Sequence, residues 1–141
     1  MRVLVSGFGP FGGHETNPTQ ELVRHIQSAE PDAFGEDVLV KAVVLPVTYF
    51  ESWDVLKAEI EAFEPDVVLS FGLASGSRGI RLERTAINMD RGYVDNAGAR
   101  HKGPVLEDGE KEIPTQLPVQ SMAQALEATG FKVHFSDDAG G

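Results

Sequence analysis

Cysteine is entirely absent from the 141 residues. That excludes a disulfide framework, thiolate ligation of a metal and a thiol nucleophile within this stretch of chain. Basic residues are scarce as well, with 12 Lys and Arg against 22 Asp and Glu and a formal charge of −10. Such a field repels a phosphate backbone, and no local basic patch offsets it, so no nucleic-acid partner is expected. Long apolar runs are missing too. The run after Met1-Arg2 stops at Gly7, too short for the core of a signal peptide and far too short for a membrane span. No membrane partner is expected, and a soluble, cytoplasmic protein is the default.

What is present reads as an ordinary globular chain, 41% hydrophobic and 24% charged, long enough for one compact domain. Arg2 to Ser6 is a short apolar run closed by Gly7, a buried strand. Asn17-Pro18 has the form of an N-cap followed by proline in the first helical turn, and Leu22, Val23 and Ile26 share a face behind it. Val38 to Val47 is a second strand. Phe50 to Phe63 is a second helix, in which Trp53, Leu56, Ile60 and Phe63 recur every three or four residues, and Pro65 ends it. Val67 to Phe71 is apolar almost throughout, as expected of a central parallel strand covered on both faces.

Further on, Gly79 to Asn88 alternates as one strand, and Met89 to Gln116 shows no apolar period and is expected to be a long loop. Pro118 opens a third helix with Val119, Met122, Ala123 and Leu126 facing inward, closed by Gly130; Phe131, Val133 and Phe135 alternate into a last strand. Strands and helices taking turns predict an α/β fold, a three-layer αβα sandwich around a mostly parallel, twisted sheet. The expectation is a single α/β domain over residues 1–141. The chain stops just after a strand, where such a unit ordinarily turns into its next helix.

Chemistry is less plainly written. Gly7 to Gly13 contains G-x-G-x-x-G after a strand, but the helix signal waits until Asn17-Pro18, Pro10 removes an amide donor, and two phenylalanines are poor company for a pyrophosphate. No nucleotide or other cofactor is called for. Phe8 and Phe11 instead offer two rings at the carboxyl end of the first strand, either as walls for a small apolar ligand or as anchors folded onto the core. Glu83 stands between Arg81 and Arg84, as a structural ion-pair partner or as an orienting carboxylate at the edge of a site. Asp137 and Asp138 read as a solvated turn. His14, His25, His101 and His134 show no zinc spacing, and no metal is implied. No serine sits in a G-x-S-x-G elbow.

Taken in order, GFGPFGG with Asn17-Pro18, LPV at Leu45 to Val47, PDVVLSFG at Pro65 to Gly72, IRLERTAIN at Ile80 to Asn88, Asp95-Asn96 and the closing S-D-D-A-G resemble the pyroglutamyl peptidase I family, the pyrrolidone carboxyl peptidases. The resemblance runs the whole length of the chain. It implies a cytoplasmic thiol protease, an omega-peptidase that hydrolyses N-terminal pyroglutamate from peptides with a Cys-His-Glu triad, on an αβα sandwich that assembles as a dimer or tetramer. On that resemblance Glu83 falls on the triad glutamate, Phe8 and Phe11 line the lactam pocket, and Val47 and Tyr93 match positions near it.

The family's S-x-x-A-G segment leads to the nucleophilic cysteine, with the histidine later still, and neither residue is in this chain. The expectation is therefore the amino-terminal part of a longer peptidase domain, inactive as given. The alternative is a non-catalytic binding or assembly module of the same fold.

Overall fold

The computed structural model describes residues 1–30 and 32–139; Gly140 and Gly141, which close the S-D-D-A-G segment, lie outside them. The chain divides into two compact units, Met1–Leu73 with Val94–Arg100, and Ala74–Tyr93 with His101–Gly141. The fold is α/β. Among the described residues no helix is long and apolar enough to cross a membrane.

The first unit contains β1 (Arg2–Phe8), α1 (Pro18–Gln27), β2 (Leu39–Leu45), α2 (Glu51–Phe63) and β3 (Val67–Ser70). Its sheet is parallel in the order β2-β1-β3, with Val5 level with Ala42 on one side and Leu69 on the other. The central strand is thus β1, and it carries the core: Val3, Leu4, Val5 and Ser6 are all buried. Among the described residues the apolar run expected to be central, β3, pairs with β1 alone; Val67, Val68 and Leu69 are half-buried and Ser70 is exposed. Its composition suited a covered strand, but composition does not say how many neighbours a strand has.

Successive side chains of a strand face opposite ways, so the sheet has two distinct faces. Val3, Val5 and Val40 line one with Ile26 of α1. The other holds Leu4 and its neighbour Lys41, whose ammonium lies over the Phe63 ring of α2 and 2.5 Å from Glu59. One helix lies on each face, the helix–sheet–helix layering expected from the alternation of elements.

Asn17 caps α1 as its sequence foretold: extended backbone, a side chain accepting from the Thr19 amide, and proline next. Gly7, expected to close the first strand, lies inside it, and the ladder runs on to Phe8 opposite Leu45. Close approach of α1 explains the residue, because a Cβ on Gly7 would stand 2.4 Å from the Thr19 carbonyl oxygen. On α2, the spacing of Trp53, Leu56, Ile60 and Phe63 marks the helix correctly but not its burial. Phe63 is buried, whereas Trp53 is 56% exposed.

The second unit contains β4 (Ile80–Glu83), β5 (Thr85–Ile87), β6 (Asp90–Arg91), β7 (Lys102–Gly103), β8 (Glu112–Pro114), α3 (Val119–Ala128) and β9 (Val133–Ser136). Strand β4 pairs in parallel with β9, Leu82 level with Phe135. The single strand expected over Gly79 to Asn88 is broken at Arg84. Its amide donates to Ser136 and its carbonyl accepts from Thr115, so the chain changes partner there and β5 continues antiparallel to β8. Nor is Met89 to Gln116 a structureless loop: it holds the antiparallel β6–β7 pair and β8. These strands are two or three residues long, too short to show any period.

Candidate functional site

In the first unit, three loops meet at the carboxyl end of the parallel sheet, where open α/β sheets seat their ligands. The first follows β1 and carries Phe8, Pro10 and Phe11. Neither ring is buried in the core and neither is fully exposed; both are half-buried. The loop is fixed at its base. The Phe8 amide donates to Thr19 Oγ1 at 2.9 Å, the Gly9 amide to the Leu45 carbonyl at 3.0 Å, and Asn17 Nδ2 to the Gly9 carbonyl at 3.0 Å. Asn17 is itself 1% exposed, and its Oδ1 accepts from both the amide and the hydroxyl of Thr19. A buried amide group with its donor and acceptor both engaged is rigid, since turning it would leave a polar atom unsatisfied.

The second loop follows β2 and carries half-buried Val47. It ends in a turn at Phe50, whose φ of 66° lies in the left-handed region that bulky residues avoid. Thr48 Oγ1 donates to Glu51 Oε2 at 2.6 Å beside it. The third is Val94–Arg100. Asp95 Oδ2 accepts from the Tyr49 amide at 2.9 Å, and Oδ1 from the amides of Ala97 and Ala99 at 2.9 and 2.7 Å. The Tyr49 bond foremost, then those from Ala99, Ala97 and Gly98, hold the Asp95 carboxyl below its ordinary value against an opposing effect of burial. Asn96 touches both other loops: its amide donates to the Val47 carbonyl at 2.9 Å and its Nδ2 to the Pro10 carbonyl at 2.8 Å.

The remaining expected site residues lie in the second unit. Glu83 ends β4, with its side chain 26% exposed, Oε1 2.6 Å from Arg81 Nε and Oε2 3.4 Å from the Asp138 amide. Tyr93 is 65% exposed. Asp137 and Asp138 lie exposed just past β9, and each is also ion-paired. Asp137 takes Nε of Arg84 at 2.9 Å and Nη2 on its other oxygen, and Asp138 is paired with Arg91. His25 and His134 lie exposed on their elements, and His101 Nδ1 is 3.3 Å from Asp90 Oδ2. Among the described residues no group of three or more His, Asp or Glu is gathered as a metal site would need.

Phe8, Phe11 and Val47 thus stand on two neighbouring loops bridged by Asn96. The sequence profile of the family described as pyroglutamyl peptidase matches residues 1–141. The chain belongs to that family.

Individual relatives agree. It is 39% identical to the pyrrolidone-carboxylate peptidase of Levilactobacillus brevis, over 99% of this chain and 67% of that protein. To the pyrrolidone-carboxylate peptidase of Lactobacillus johnsonii it is 37% identical, over 99% of this chain and 64% of that one. A solved structure of a mutant pyrrolidone carboxyl peptidase from Pyrococcus furiosus superposes with a TM-score of 0.91 at 31% identity, covering 99% of this chain and 66% of that chain. The enzyme from Thermococcus litoralis gives 0.89 at 30%, covering 99% and 62%. The chain thus spans about two thirds of the length of the pyroglutamyl peptidases it matches.

The bonds that hold the loops of Phe8, Phe11 and Val47 come from Thr19, Asn17, Asp95 and Asn96, of which the sequence marks Asn17 as a cap and Asp95-Asn96 as part of the family resemblance. A buried cap residue with a second amide hydrogen to donate, and an Asx pair inside a glycine-rich loop, were the signals available.

Proposed function

We propose that this chain forms the substrate-binding framework of a pyroglutamyl peptidase I-like cysteine peptidase, which removes N-terminal pyroglutamate from peptides. The observation that carries the reading is the family match over every residue of the chain. The half-buried rings of Phe8 and Phe11, held at the carboxyl end of the sheet, support it.

A pyroglutamyl group has no ammonium, because its nitrogen is closed into a lactam. The carboxylates by which ordinary aminopeptidases hold an N-terminus would be the wrong partners, and apolar walls suit the ring better. Phe8, Phe11, Val47 and Tyr93 are the substrate-binding residues of this reading. Apolar burial between two rings supplies about 1 to 3 kcal/mol, with backbone groups satisfying the lactam N–H and C=O. Glu83 is its catalytic residue, the carboxylate that fixes the tautomer of an imidazole, which in turn activates a thiol for attack on the adjoining carbonyl.

The thiol must come from outside these residues, since the chain has no cysteine. Residues 1–141 are then the amino-terminal part of a longer single peptidase domain, inactive alone, and the whole enzyme works in the cytoplasm as a dimer or tetramer. Complete lack of cysteine also favours a second reading, a binding or assembly module that keeps the lactam pocket without the chemistry.

A fluorogenic pyroglutamyl anilide distinguishes them. The 141-residue polypeptide is expected to release no fluorophore. Release from a longer polypeptide of the same gene, abolished by iodoacetamide, supports the peptidase. No release from any encoded length, with lactam binding intact, supports the module. Turnover by the 141 residues that resists thiol reagents overturns both.

A further inference from the structure

We infer that Asn96 is a positioning residue that sets the gap between the two walls of the proposed lactam pocket; the inference rests on that reading of the pocket. Two loops separated by a whole helix and strand in sequence lie side by side there, joined at their base by the Gly9 amide on the Leu45 carbonyl, and farther out Asn96 bonds to both. Its side-chain amide donates to the carbonyl of Pro10, which lies between Phe8 and Phe11 in sequence, and its backbone amide to the Val47 carbonyl. The distances are 2.8 and 2.9 Å, within the range of well-formed bonds.

Its own place is fixed by Asp95. Asp95 carboxylate oxygens take the Tyr49, Ala97 and Ala99 amides, and its backbone closes the loop through Asp95 N to the Ala99 carbonyl at 3.0 Å and Gly98 N to the Asp95 carbonyl at 3.1 Å. A rigid five-residue loop therefore presents one donor to each wall. The Tyr49 bond also braces the turn at Phe50, where the backbone is in its least favourable conformation. Binding a small rigid ring depends on the spacing of its walls, and holding that spacing in advance lowers the ordering cost of binding.

Asn96→Ala removes the donor to Pro10 and leaves the backbone bond to Val47. Asn96→Asp keeps the size but presents an acceptor to an acceptor. Two readouts on the 141-residue chain separate the clasp from the pocket: hydrogen exchange at the Phe8, Gly9 and His14 amides, and NMR titration with pyroglutamyl-alanine against alanyl-alanine.

Both variants are expected to speed exchange at those three amides about tenfold and to weaken pyroglutamyl-alanine about fivefold to tenfold, while the amides of Val5 and Val43 keep their protection. Unchanged exchange in both variants overturns the clasp whatever binds. Faster exchange with unchanged affinity overturns its role in the pocket. Uniform loss of protection across β1 and β2 shows a general structural role and likewise overturns it. A wild-type chain that does not distinguish the two dipeptides rejects the lactam reading and the pocket role with it, whereas the exchange result still decides whether Asn96 holds the loops.

Discussion

Arg84 and Asp137, 53 residues apart, face each other at the end of the β4–β9 pair through two contacts, Nε to Oδ1 at 2.9 Å and Nη2 to Oδ2. Thr85 Oγ1 adds a third donor to the same carboxylate at 3.2 Å, and the guanidinium also lies over the Phe135 ring. The Arg84 hydrogen bond above all holds the Asp137 carboxyl below its ordinary value. Because the folded value is depressed, the stabilisation is complete above the ordinary carboxylate range and is lost as pH falls through the folded value. Both side chains are about half exposed, so the contribution is small and screened by salt. Arg84→Ala is expected to lower Tm slightly near neutral pH, with the difference from wild type shrinking once the pH drops well below about 4. Melting curves of the two proteins over that range check it, and a constant difference would show that the pair contributes only through packing.

Asp95 behaves in the same direction for a different reason. Its carboxylate is held down by backbone amides, Tyr49 foremost, rather than by a cation. Asp95→Asn keeps one acceptor oxygen for three donors, so loss of protection is expected at the Tyr49, Ala97 and Ala99 amides. Added salt should not reproduce this loss, since the partners of this carboxylate among the described residues are backbone amides. Amide exchange of the variant in low and high salt is the measurement; protection restored or removed by salt alone would count against it.

Gly7→Ala should be among the most damaging single changes in the first unit. The new Cβ would meet the Thr19 carbonyl at 2.4 Å, and that oxygen belongs to a helix backbone with no rotamer to give way. Overpacking of this kind costs about 1 to 3 kcal/mol. Urea denaturation of the variant gives the figure directly, and a loss below half a kcal/mol would mean that α1 shifts readily along the sheet. Asn17→Ala is expected to cost about 1 to 2 kcal/mol in the same measurement, since it removes the helix cap and leaves the Gly9 carbonyl without that donor.

Local chemistry is what could be read from the sequence. Asn17-Pro18 defines a helix start through atoms two residues apart, and β1, α2 and α3 declare themselves by apolar spacing. Pairing partners are set elsewhere. Whether β3 is central depends on what lies beside it, and Arg84 divides its strand because Thr115 and Ser136, distant in sequence, take its backbone groups in two directions. Asn96 reaches Pro10 across 86 residues, a contact that no periodicity records. Gly7 was legible as a glycine but not as a contact, since only the position of α1 turns the missing Cβ into a requirement. The ring loop stood out because two phenylalanines among four glycines are unusual company. Its partners are ordinary residues whose role comes from position.

Phe8 and Phe11 give the most direct prediction about recognition. Both rings are half-buried, so truncation removes less packing than it would in the Leu4 or Val23 core. If the rings serve a ligand, Phe8→Ala and Phe11→Ala should each weaken pyroglutamyl-alanine about tenfold or more while Tm changes little, and the two losses should not add, since each ring covers one face of the same lactam. Leucine at either position should restore part of the affinity, because apolar area survives while the flat face is lost. Calorimetric titration of the four variants and the double alanine mutant tests this. Large drops in Tm with unchanged affinity would make the rings anchors for the glycine-rich turn, and the lactam would have to be bound elsewhere.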